Sequence, residues 1–457
     1  MLIPRLATLF IASLTAAGGF GQWQSVGGGV DGGVFCFEYD SDTTALIVAG
    51  PFVYTNAGGL RANSMAKWDG TNWSTEGLGN GSGDTSAITS ANPINSLALF
   101  HDTLFVGTGY TMWHYDPAMG LGAYLVNDQW HPCGSPENWF FVMKANGRLF
   151  AGGRADTLYG MYMPGPKEWV GGAWQALPNT PFGTLGTIYD ATYWQGDYYF
   201  SGSIAVDDAL GVIRFDGVDQ WSALGEGVGG LWTSHIRGYG DSLYAGGFFQ
   251  PGPQVQSQHI QLWDGQAWKP FFPQVEFISQ VTDLQVHEGM LYIVGIYRFA
   301  GGSTTYGILR YDGHELCAIG GPMEADNTRL AFFKGDLYFG MTTIFPGPFY
   351  QEFIVKQPLE SIVPDTCVSV PVVGMVEHAA RSPLLLSPNP AKDILSVRTE
   401  LMGLDRVELL NALGQLMLSL PLHQGVVRID VAHLPAATYI IRATGTGRSA
   451  YTRFIKL

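Results

Sequence analysis

The sequence predicts an all-β fold: a seven-bladed β-propeller followed by a small C-terminal Ig-like β-sandwich. Three observations support this prediction. The 457 residues include 61 glycines and only 14% charged residues, a composition typical of short strands joined by tight turns. An apolar strand that ends near a glycine recurs seven times before residue 360. Residues 385–457 then contain six short strand-like runs.

The N-terminus has the features of a secretory signal peptide. Arg5 precedes an apolar run over residues 6–17, and Gly19 and Gly21 supply the small residues that a signal peptidase requires. We therefore expect residues 1–21 to be a cleaved signal peptide and the protein to be exported. No later stretch reaches about 18 consecutive apolar residues, so no transmembrane segment is expected.

The net negative charge lies in the residues that precede residue 385. The net charge is −15, whereas residues 385–457 carry 8 basic and 5 acidic side chains, which leaves −18 on the preceding residues. A surface of that sign repels phosphate backbones and anionic lipids. We therefore expect no nucleic-acid partner.

The four cysteines leave their pairing open. Cys36, Cys133, Cys317 and Cys367 are separated by 97, 184 and 50 residues and form no CxxC pair. Export permits disulfides, but this spacing does not specify them, and buried free thiols fit equally well.

The seven repeated strands share one aligned position. The residues at that position are Leu46, Leu104, Leu149, Tyr198, Leu243, Leu291 and Leu337. The steps between them are 58, 45, 49, 45, 48 and 46 residues. A period of this size is typical of a four-stranded propeller blade, in which the repeated strand is preceded by one strand and followed by two.

Turn and tryptophan patterns complete the predicted blade. Asp-Gly turns, such as Asp264-Gly265, are predicted as two-residue hairpins between the third and fourth strands. Residues Trp73, Trp174, Trp221 and Trp268 are predicted to open fourth strands. The seventh repeat lacks a fourth strand of its own, so the segment around Trp23 is predicted to complete it and close the ring.

Residues 22–359 resemble the kelch-like and delta-60-type propeller repeats, in which LYxGG strands alternate with WDG turns. Examples are SLYAGG from Ser242 and QLWDGQAW from Gln261. The resemblance implies a propeller over this range, the seven repeats predict seven blades, and we expect a monomer.

Ligand contacts are expected on the propeller face that carries the long loops, because recognition residues concentrate in loops held by a rigid scaffold. The candidate binding residues are Trp113, Trp232, Phe249, Tyr297 and Arg298. A glycan or a protein would suit these rings and this guanidinium. The sequence contains no HExxH, GxSxG or phosphate-binding loop, so we predict no metal, no cofactor and no catalytic residues.

Residues 360–384 are rich in Val, Pro and Ser and are predicted to be a linker. Six strands are predicted in residues 385–457: 394–398, 407–410, 415–420, 426–431, 438–443 and 450–457. About 70 residues in strands of this length would form a small β-sandwich.

The same residues resemble the type A C-terminal sorting domain of type IX secretion cargo. The matching residues are Pro388, Asn389, Pro390, Gly414, Tyr439 and Lys456. One departure is Ala437, where that family usually has Gly. The resemblance implies a Gram-negative bacterium, recognition of the tail by the secretion translocon, and a protein that is secreted or attached to the outer cell surface.

Together these features predict a secreted or surface-displayed propeller that acts as a binding or adhesion module. The alternative is a polysaccharide-acting propeller hydrolase or lyase, whose acids would come from distant blades. A third possibility is a rigid structural spacer.

Overall fold

The computed structural model describes residues 23–40, 42–55, 59–78, 94–108, 121–133, 140–153, 157–158, 161–162, 165–181, 186–206, 209–229, 232–249, 259–272, 274–322, 328–342, 352–369, 384–399, 404–411, 416–422, 425–445 and 448–456. The chain divides into two compact regions, Met1–Val370 and Pro371–Leu457, called here the N-terminal and C-terminal regions. Both are built from antiparallel strands, so the all-β prediction is confirmed.

Within its described residues, the N-terminal region contains seven successive four-stranded groups, called sheets 1 to 7. Sheet 1 consists of Cys36–Tyr39, Leu46–Ala49, Met65–Trp68 and Trp73–Ser74. Sheet 2 consists of Ile94–Phe100, Thr103–Thr108, Gly122–Val126 and Gln129–Pro132. Sheet 3 consists of Phe140–Ala145, Arg148–Gly153, Lys167–Val170 and Ala173–Ala176. Sheet 4 consists of Thr187–Trp194, Asp197–Val206, Ala209–Phe215 and Trp221–Ala223.

Sheet 5 consists of Trp232–Tyr239, Ser242–Phe248, Ile260–Trp263 and Trp268–Pro270. Sheet 6 consists of Asp283–His287, Met290–Phe299, Tyr306–Tyr311 and Glu315–Pro322. Sheet 7 consists of Arg329–Phe333, Asp336–Gly340, Ile354–Pro358 and the N-terminal strand Gln24–Ser25. Each repeated segment found in the sequence is the second strand of one sheet. Smaller elements are the strands Tyr54–Thr55, Leu60–Arg61, Thr157–Leu158, Met161–Tyr162 and Val275–Phe277 and the 3-10 helix Leu359–Ser361.

The first strands of the sheets lie side by side in a cycle. Each contacts the first strand of the next sheet, and the first strand of sheet 7 contacts that of sheet 1. Gln24 pairs with Lys356 and Ser25 with Val355, so the predicted completion of the seventh group by the N-terminus is confirmed. Apolar side chains between neighbouring sheets form separate buried clusters, such as the one containing Leu104 and Met65.

Tryptophans in the fourth strands bridge neighbouring sheets. The indole Nε1 of Trp23 donates to the carbonyl of Gly320 in sheet 6 at 2.8 Å. Trp73 donates in the same way to Val26, which follows the last strand of sheet 7, at 2.9 Å. Trp268 donates to Leu224, which follows sheet 4, at 3.0 Å. These bonds repeat because each tryptophan occupies the same place in its sheet.

The Asp-Gly turns are longer than predicted. In sheet 5, Trp263 pairs with Trp268, so four residues form the turn. The Asp264 carboxylate accepts hydrogen bonds from the N–H groups of Gln266 and Ala267, both at 2.9 Å, and Gly265 adopts a φ of +94°. This side chain closes a wider loop than the two-residue hairpin that was expected. The equivalent Asp69 and Asp312 also accept two backbone N–H groups each.

Because the turn carboxylates accept hydrogen bonds in their charged form, we expect the folded protein to lose stability in acid. Burial raises the pKa of Asp264, but the Lys269 ammonium and the N–H groups of Ala267 and Gln266 outweigh it and lower that pKa to about 2. Because this value lies below the ordinary 3.8, the stabilisation is complete above about pH 4 and is lost as the pH falls towards 2. We expect Asp264→Asn to lower the free energy of unfolding by about 1 kcal/mol at neutral pH, since solvent screens the pair.

Urea unfolding of the wild type and of Asp264→Asn, at pH values from about 2 to about 7, measures this effect. The matched control is Asp241→Asn, an exposed residue in a different turn of the same sheet. A difference between wild type and Asp264→Asn that stayed constant across this pH range would contradict the prediction.

Part of the predicted linker is a strand. Cys367–Ser369 pairs with Glu315–Pro322 and adds a fifth strand to sheet 6. Cys367 is disulfide-bonded to Cys317, and the Asp365 carboxylate accepts a hydrogen bond from Gly321 N at 2.9 Å. The linker prediction over 360–384 is therefore wrong for its first ten residues. The cysteine spacing could not show this, because pairing depends on which strands lie side by side.

The other two cysteines, Cys36 and Cys133, are free thiols. Burial raises the pKa of both thiols, and the pKa of Cys133 rises to about 12 even though a hydrogen bond with Trp174 lowers it. Both thiols are therefore uncharged at neutral pH and have little nucleophilic character.

Replacing both bonded cysteines should have a measurable cost. The disulfide joins residues 50 apart, a loop length for which chain entropy predicts up to about 4 kcal/mol of stabilisation. We expect the double variant Cys317→Ser, Cys367→Ser to unfold at lower denaturant concentration and to be cleaved faster by protease near residues 362–369. Reduced wild type is the control. In reductant, the difference in stability between the wild type and the double variant should vanish. Equal stability of the oxidised wild type and the variant would contradict this expectation.

The C-terminal region has two antiparallel sheets. One consists of Leu384–Ser387, Ile394–Thr399 and Val426–Asp430, and the other of Leu416–Pro421, Leu404–Leu410, Thr438–Gly445 and Arg448–Ile455. Each of the six predicted strands overlaps one of these. The strand Leu384–Ser387 was not predicted. Side chains from both sheets share one buried cluster, which includes Val397, Ile441 and Phe454.

Candidate functional site

The first strands of the N-terminal region surround a polar cavity of about 540 Å³. Its walls come from six of the seven sheets, because the first strands form the inner cycle. Its polar lining residues include Glu38, Lys144, Asp190, Tyr193, Arg237 and Gln285. The cavity also reaches Asn146, in the turn that follows the first strand of sheet 3. It therefore lies towards the short turns and not beside the long loops.

Glu38 is buried on the first strand of sheet 1 and is fully engaged. Its carboxylate accepts hydrogen bonds from Tyr39 N at 2.9 Å and from Leu99 N, in sheet 2, at 3.0 Å. Tyr39 N donates to Oε1 and Leu99 N to Oε2, and the Lys144 ammonium from sheet 3 lies 2.6 Å from that same Oε2. Glu38 thus joins the first strands of three sheets.

Asp190, on the first strand of sheet 4, is engaged in a similar way. Its oxygens accept hydrogen bonds from Ala191 N at 2.8 Å, Ile236 N at 3.1 Å and Arg237 Nη1 at 2.5 Å. Burial raises the pKa of Asp190, but the Arg237 guanidinium and the adjacent His235 lower it below its ordinary value. The carboxyl group is therefore ionised at neutral pH.

His235 lies between two carboxylates. Its Nδ1 is 3.7 Å from Asp190 Oδ2 and 4.0 Å from Asp283 Oδ1. Asp283 Oδ2 accepts a hydrogen bond from Leu330 N at 2.8 Å, and its Oδ1 accepts one from Gln285 Nε2 at 3.1 Å. The carboxylates in sheets 4 and 6 therefore each bind the backbone of the next sheet.

A positional signal for this cluster is present in the sequence. In all seven sheets the residue eight positions before the aligned Leu or Tyr lies on the first strand, and most of these residues are polar. They are Glu38, Ser96, Phe141, Asp190, His235, Asp283 and Arg329. Loop length, which predicts the ligand contacts on the long-loop face, does not reveal this offset.

This arrangement can bind but is poorly suited to proton transfer. A glycoside hydrolase needs one carboxylic acid that stays protonated near neutral pH. The pKa of Asp190 shifts in the opposite direction, and Glu38 holds the Lys144 ammonium and two backbone N–H groups. Both carboxylates therefore act as acceptors that hold the sheets together.

The predicted long-loop contacts fall into three groups. Phe249 and Tyr297 are buried in apolar clusters, so their rings do not reach the surface, and their prediction as binding residues is wrong. Trp232 is 48% exposed, and the Arg298 guanidinium is exposed and bonded to Glu276 at 2.7 Å. These two stay predictions. Trp113 lies outside the described residues.

The sequence wrongly predicts these two buried aromatic residues as ligand contacts. Their positions next to a long loop do not reveal on which side of the strand the ring lies. Tyr297 shows this: its hydroxyl donates to the carbonyl of Ile308 inside sheet 6. Burial raises the pKa of Tyr297 well above its ordinary value, so this hydroxyl remains protonated.

Two observations on the described residues concern possible metal ligands and membrane-spanning helices. Glu315, Cys317 and Cys367 are the group of potential ligands that lie close together there, but both sulfurs are joined in the disulfide. Across the same part of the chain, no helix is long and apolar enough to cross a membrane.

The sorting-motif residues of the C-terminal region converge on its last strand. Pro388, Asn389 and Pro390 are exposed, and both prolines follow cis peptide bonds. Asn389 Oδ1 accepts a hydrogen bond from Ile455 N at 2.9 Å, and Lys456 N donates to Ala437 O at 2.9 Å. Three motif segments that are distant in sequence thus meet at one end of the region.

Tyr439 and Ala437 support the same arrangement. The Tyr439 ring is buried against Phe454, with 5.8 Å between the ring centroids, and its hydroxyl donates to Pro435 O at 3.0 Å. Ala437 is not among the described residues with positive φ, so alanine fits where glycine was expected. Gly414 lies outside the described residues, as do residues 1–21, whose assignment as a signal peptide stays a prediction.

Comparison with solved structures finds distant similarities. PorZ, a surface component of the type-IX secretion system of Porphyromonas gingivalis, is 12% identical with a TM-score of 0.43, and the match covers 93% of this chain and 60% of PorZ. The extracellular domain of a protein described as a hybrid two-component system of B. thetaiotaomicron is 12% identical with a TM-score of 0.39, covering 93% of this chain and 56% of that one. The polysaccharide lyase Uly1 is 10% identical with a TM-score of 0.29, covering 75% and 90%.

No curated protein matches the sequence. One family model does match: the secretion system C-terminal sorting domain, over residues 386–457. This range contains the motif residues that meet at the last strand. Residues 386–457 are therefore a C-terminal sorting domain of the type IX secretion system, with which the domain interacts, and the protein is secreted or lies on the outer cell surface.

Proposed function

We propose that the N-terminal region is a seven-bladed β-propeller and that the C-terminal region is an Ig-like β-sandwich. The cyclic contacts of the first strands, the completion of sheet 7 by Gln24–Ser25 and the repeated tryptophan bonds between sheets support the propeller. Two sheets around one buried cluster support the sandwich. The kelch-like repeats of the sequence belong to the same proposal.

The propeller is a binding module that acts outside the cell, and the inner cavity is its binding site. The observation that carries this proposal is a cavity of about 540 Å³ whose two carboxylates are both held by cations and backbone N–H groups. A volume of this size falls in the usual range for small-ligand sites. Trp232 and Arg298 remain candidate contacts for a larger ligand on the other face.

One observation favours a second function, a polysaccharide hydrolase or lyase. Glu38 and Asp190 are two carboxylates that line the same cavity. The binding function is preferred because neither carboxylate is free to carry a proton, as their hydrogen bonds and ion pairs indicate.

The test uses the purified secreted protein on arrays of glycans and extracellular matrix proteins, together with an assay for release of sugar products. We expect saturable binding without product release. Product release that is lost in both Glu38→Gln and Asp190→Asn, with unfolding curves showing that both variants fold, would favour the enzyme. The absence of any binding and any product would contradict the proposed function.

A further inference from the structure

We infer that the inner cavity takes an uncharged, polyhydroxylated group, such as a neutral sugar unit of a glycan. This inference rests on the proposed binding function and specifies its ligand. It uses three properties of the cavity: its charges are paired, its remaining polar groups are neutral, and one aromatic ring is exposed at its wall.

The charged groups of the cavity are already paired with one another. Lys144 lies 2.6 Å from Glu38, and Arg237 lies 2.5 Å from Asp190. A charged ligand would have to break one of these pairs and leave a partner unneutralised in a partly buried place, which is costly. The net charge of −15 on the whole chain adds a general repulsion against anionic polysaccharides.

The hydrogen-bonding groups that remain are uncharged. Gln285 uses its Nε2 to bind Asp283, which leaves its carbonyl oxygen for a ligand. Within the part of the chain that the structure describes, the Thr192 hydroxyl, the Tyr193 hydroxyl and the Asn146 amide have no hydrogen-bond partner. These groups offer both donors and acceptors, which is what the hydroxyl groups of a sugar require.

Tyr193 adds an apolar surface to these polar groups. Its side chain is 40% exposed, although the ring packs against Tyr198 with 4.9 Å between the centroids. An aromatic ring fixed in this way presents a flat surface to the C–H groups of a sugar ring at little cost in side-chain entropy. Thr192 and Tyr193 are successive residues of one strand, so their side chains leave opposite faces of sheet 4, and both border the cavity.

The test measures the affinity of the purified protein for neutral oligosaccharides and for chains of the same length that carry uronate groups. We expect neutral chains to bind and uronate chains to bind at least about tenfold more weakly. Thr192→Val removes one hydroxyl while keeping a β-branched side chain, and it should weaken binding about three- to tenfold. Tyr193→Ala should weaken binding, and Tyr193→Phe should restore most of that loss because it keeps the ring surface.

Val218→Ala is the control, because this side chain is 70% exposed in the turn between the third and fourth strands of sheet 4 and does not line the cavity, so the affinity should stay unchanged. Unchanged unfolding curves of the variants show that they fold. Full affinity in both Thr192→Val and Tyr193→Ala would overturn the site, and a preference for uronate chains would overturn the ligand class. Binding of a protein ligand alone would overturn the sugar inference while the binding module stands. Only the absence of every ligand would contradict the proposed function as well.

Discussion

Deleting residues 385–457 is expected to keep the protein inside the cell. These residues include the whole range of the sorting domain and most of a compact region with its own buried cluster. The deletion leaves every strand of sheets 1 to 7 in place, and it also leaves the Cys317–Cys367 disulfide. We therefore expect loss of secretion without unfolding of the N-terminal region.

Cell fractionation of full-length and truncated protein measures this loss, and protease resistance of the truncated protein shows that it folds. A matched control is full-length protein carrying Lys392→Ala, an exposed residue of the tail, which should appear outside the cell at the normal level. Normal extracellular appearance of the truncated protein would contradict the assignment of the tail as the secretion signal.

The second large effect is expected at the place where the two ends of the N-terminal region meet. Trp23 is buried, packs against Phe339 with 5.7 Å between the ring centroids, and donates to Gly320 O at 2.8 Å. Replacing a buried tryptophan by alanine usually costs about 3–5 kcal/mol. We expect Trp23→Ala to cost this much, because it also weakens the strand Gln24–Ser25 that completes sheet 7.

Urea unfolding measures the cost, with two comparison variants. Trp221→Ala removes a half-buried tryptophan that donates to Pro178 O at 2.8 Å, within a continuous stretch of sheets, and should cost less. Trp23→Phe keeps an aromatic ring but loses the hydrogen bond, and should recover most of the stability. If Trp23→Ala cost no more than Trp221→Ala, the N-terminal strand would not be a main source of stability.

Local patterns determine the elements that the sequence predicts correctly. The seven aligned residues all lie on second strands, and Trp73, Trp221 and Trp268 all open fourth strands. In the tail, alternation of apolar and polar residues placed six strands to within a few residues. These features are readable because side-chain alternation and turn residues act over fewer than about ten residues.

The inner cavity could not be read in this way. Glu38, Asp190 and Arg237 are separated by up to about 200 residues, and they meet because the first strands of different sheets lie in one cycle. Glu38 and Asp190 both lie eight positions before the aligned residue of their repeat, but this offset does not reveal that the position faces inward. The same reason explains Phe249 and Tyr297, whose burial depends on the neighbouring strands and not on the loop that follows them.

By itself the sequence determined the all-β class, the number and position of the repeats, the completing role of the N-terminal strand and the sorting domain in the tail. Only the tertiary structure decided which cysteines are bonded, that residues 367–369 extend sheet 6, and that charged side chains from four sheets pair around one cavity. The physical reason is range. Strand patterns and motifs are local, whereas disulfides, added strands and cavity walls join residues whose proximity arises only when the sheets pack together.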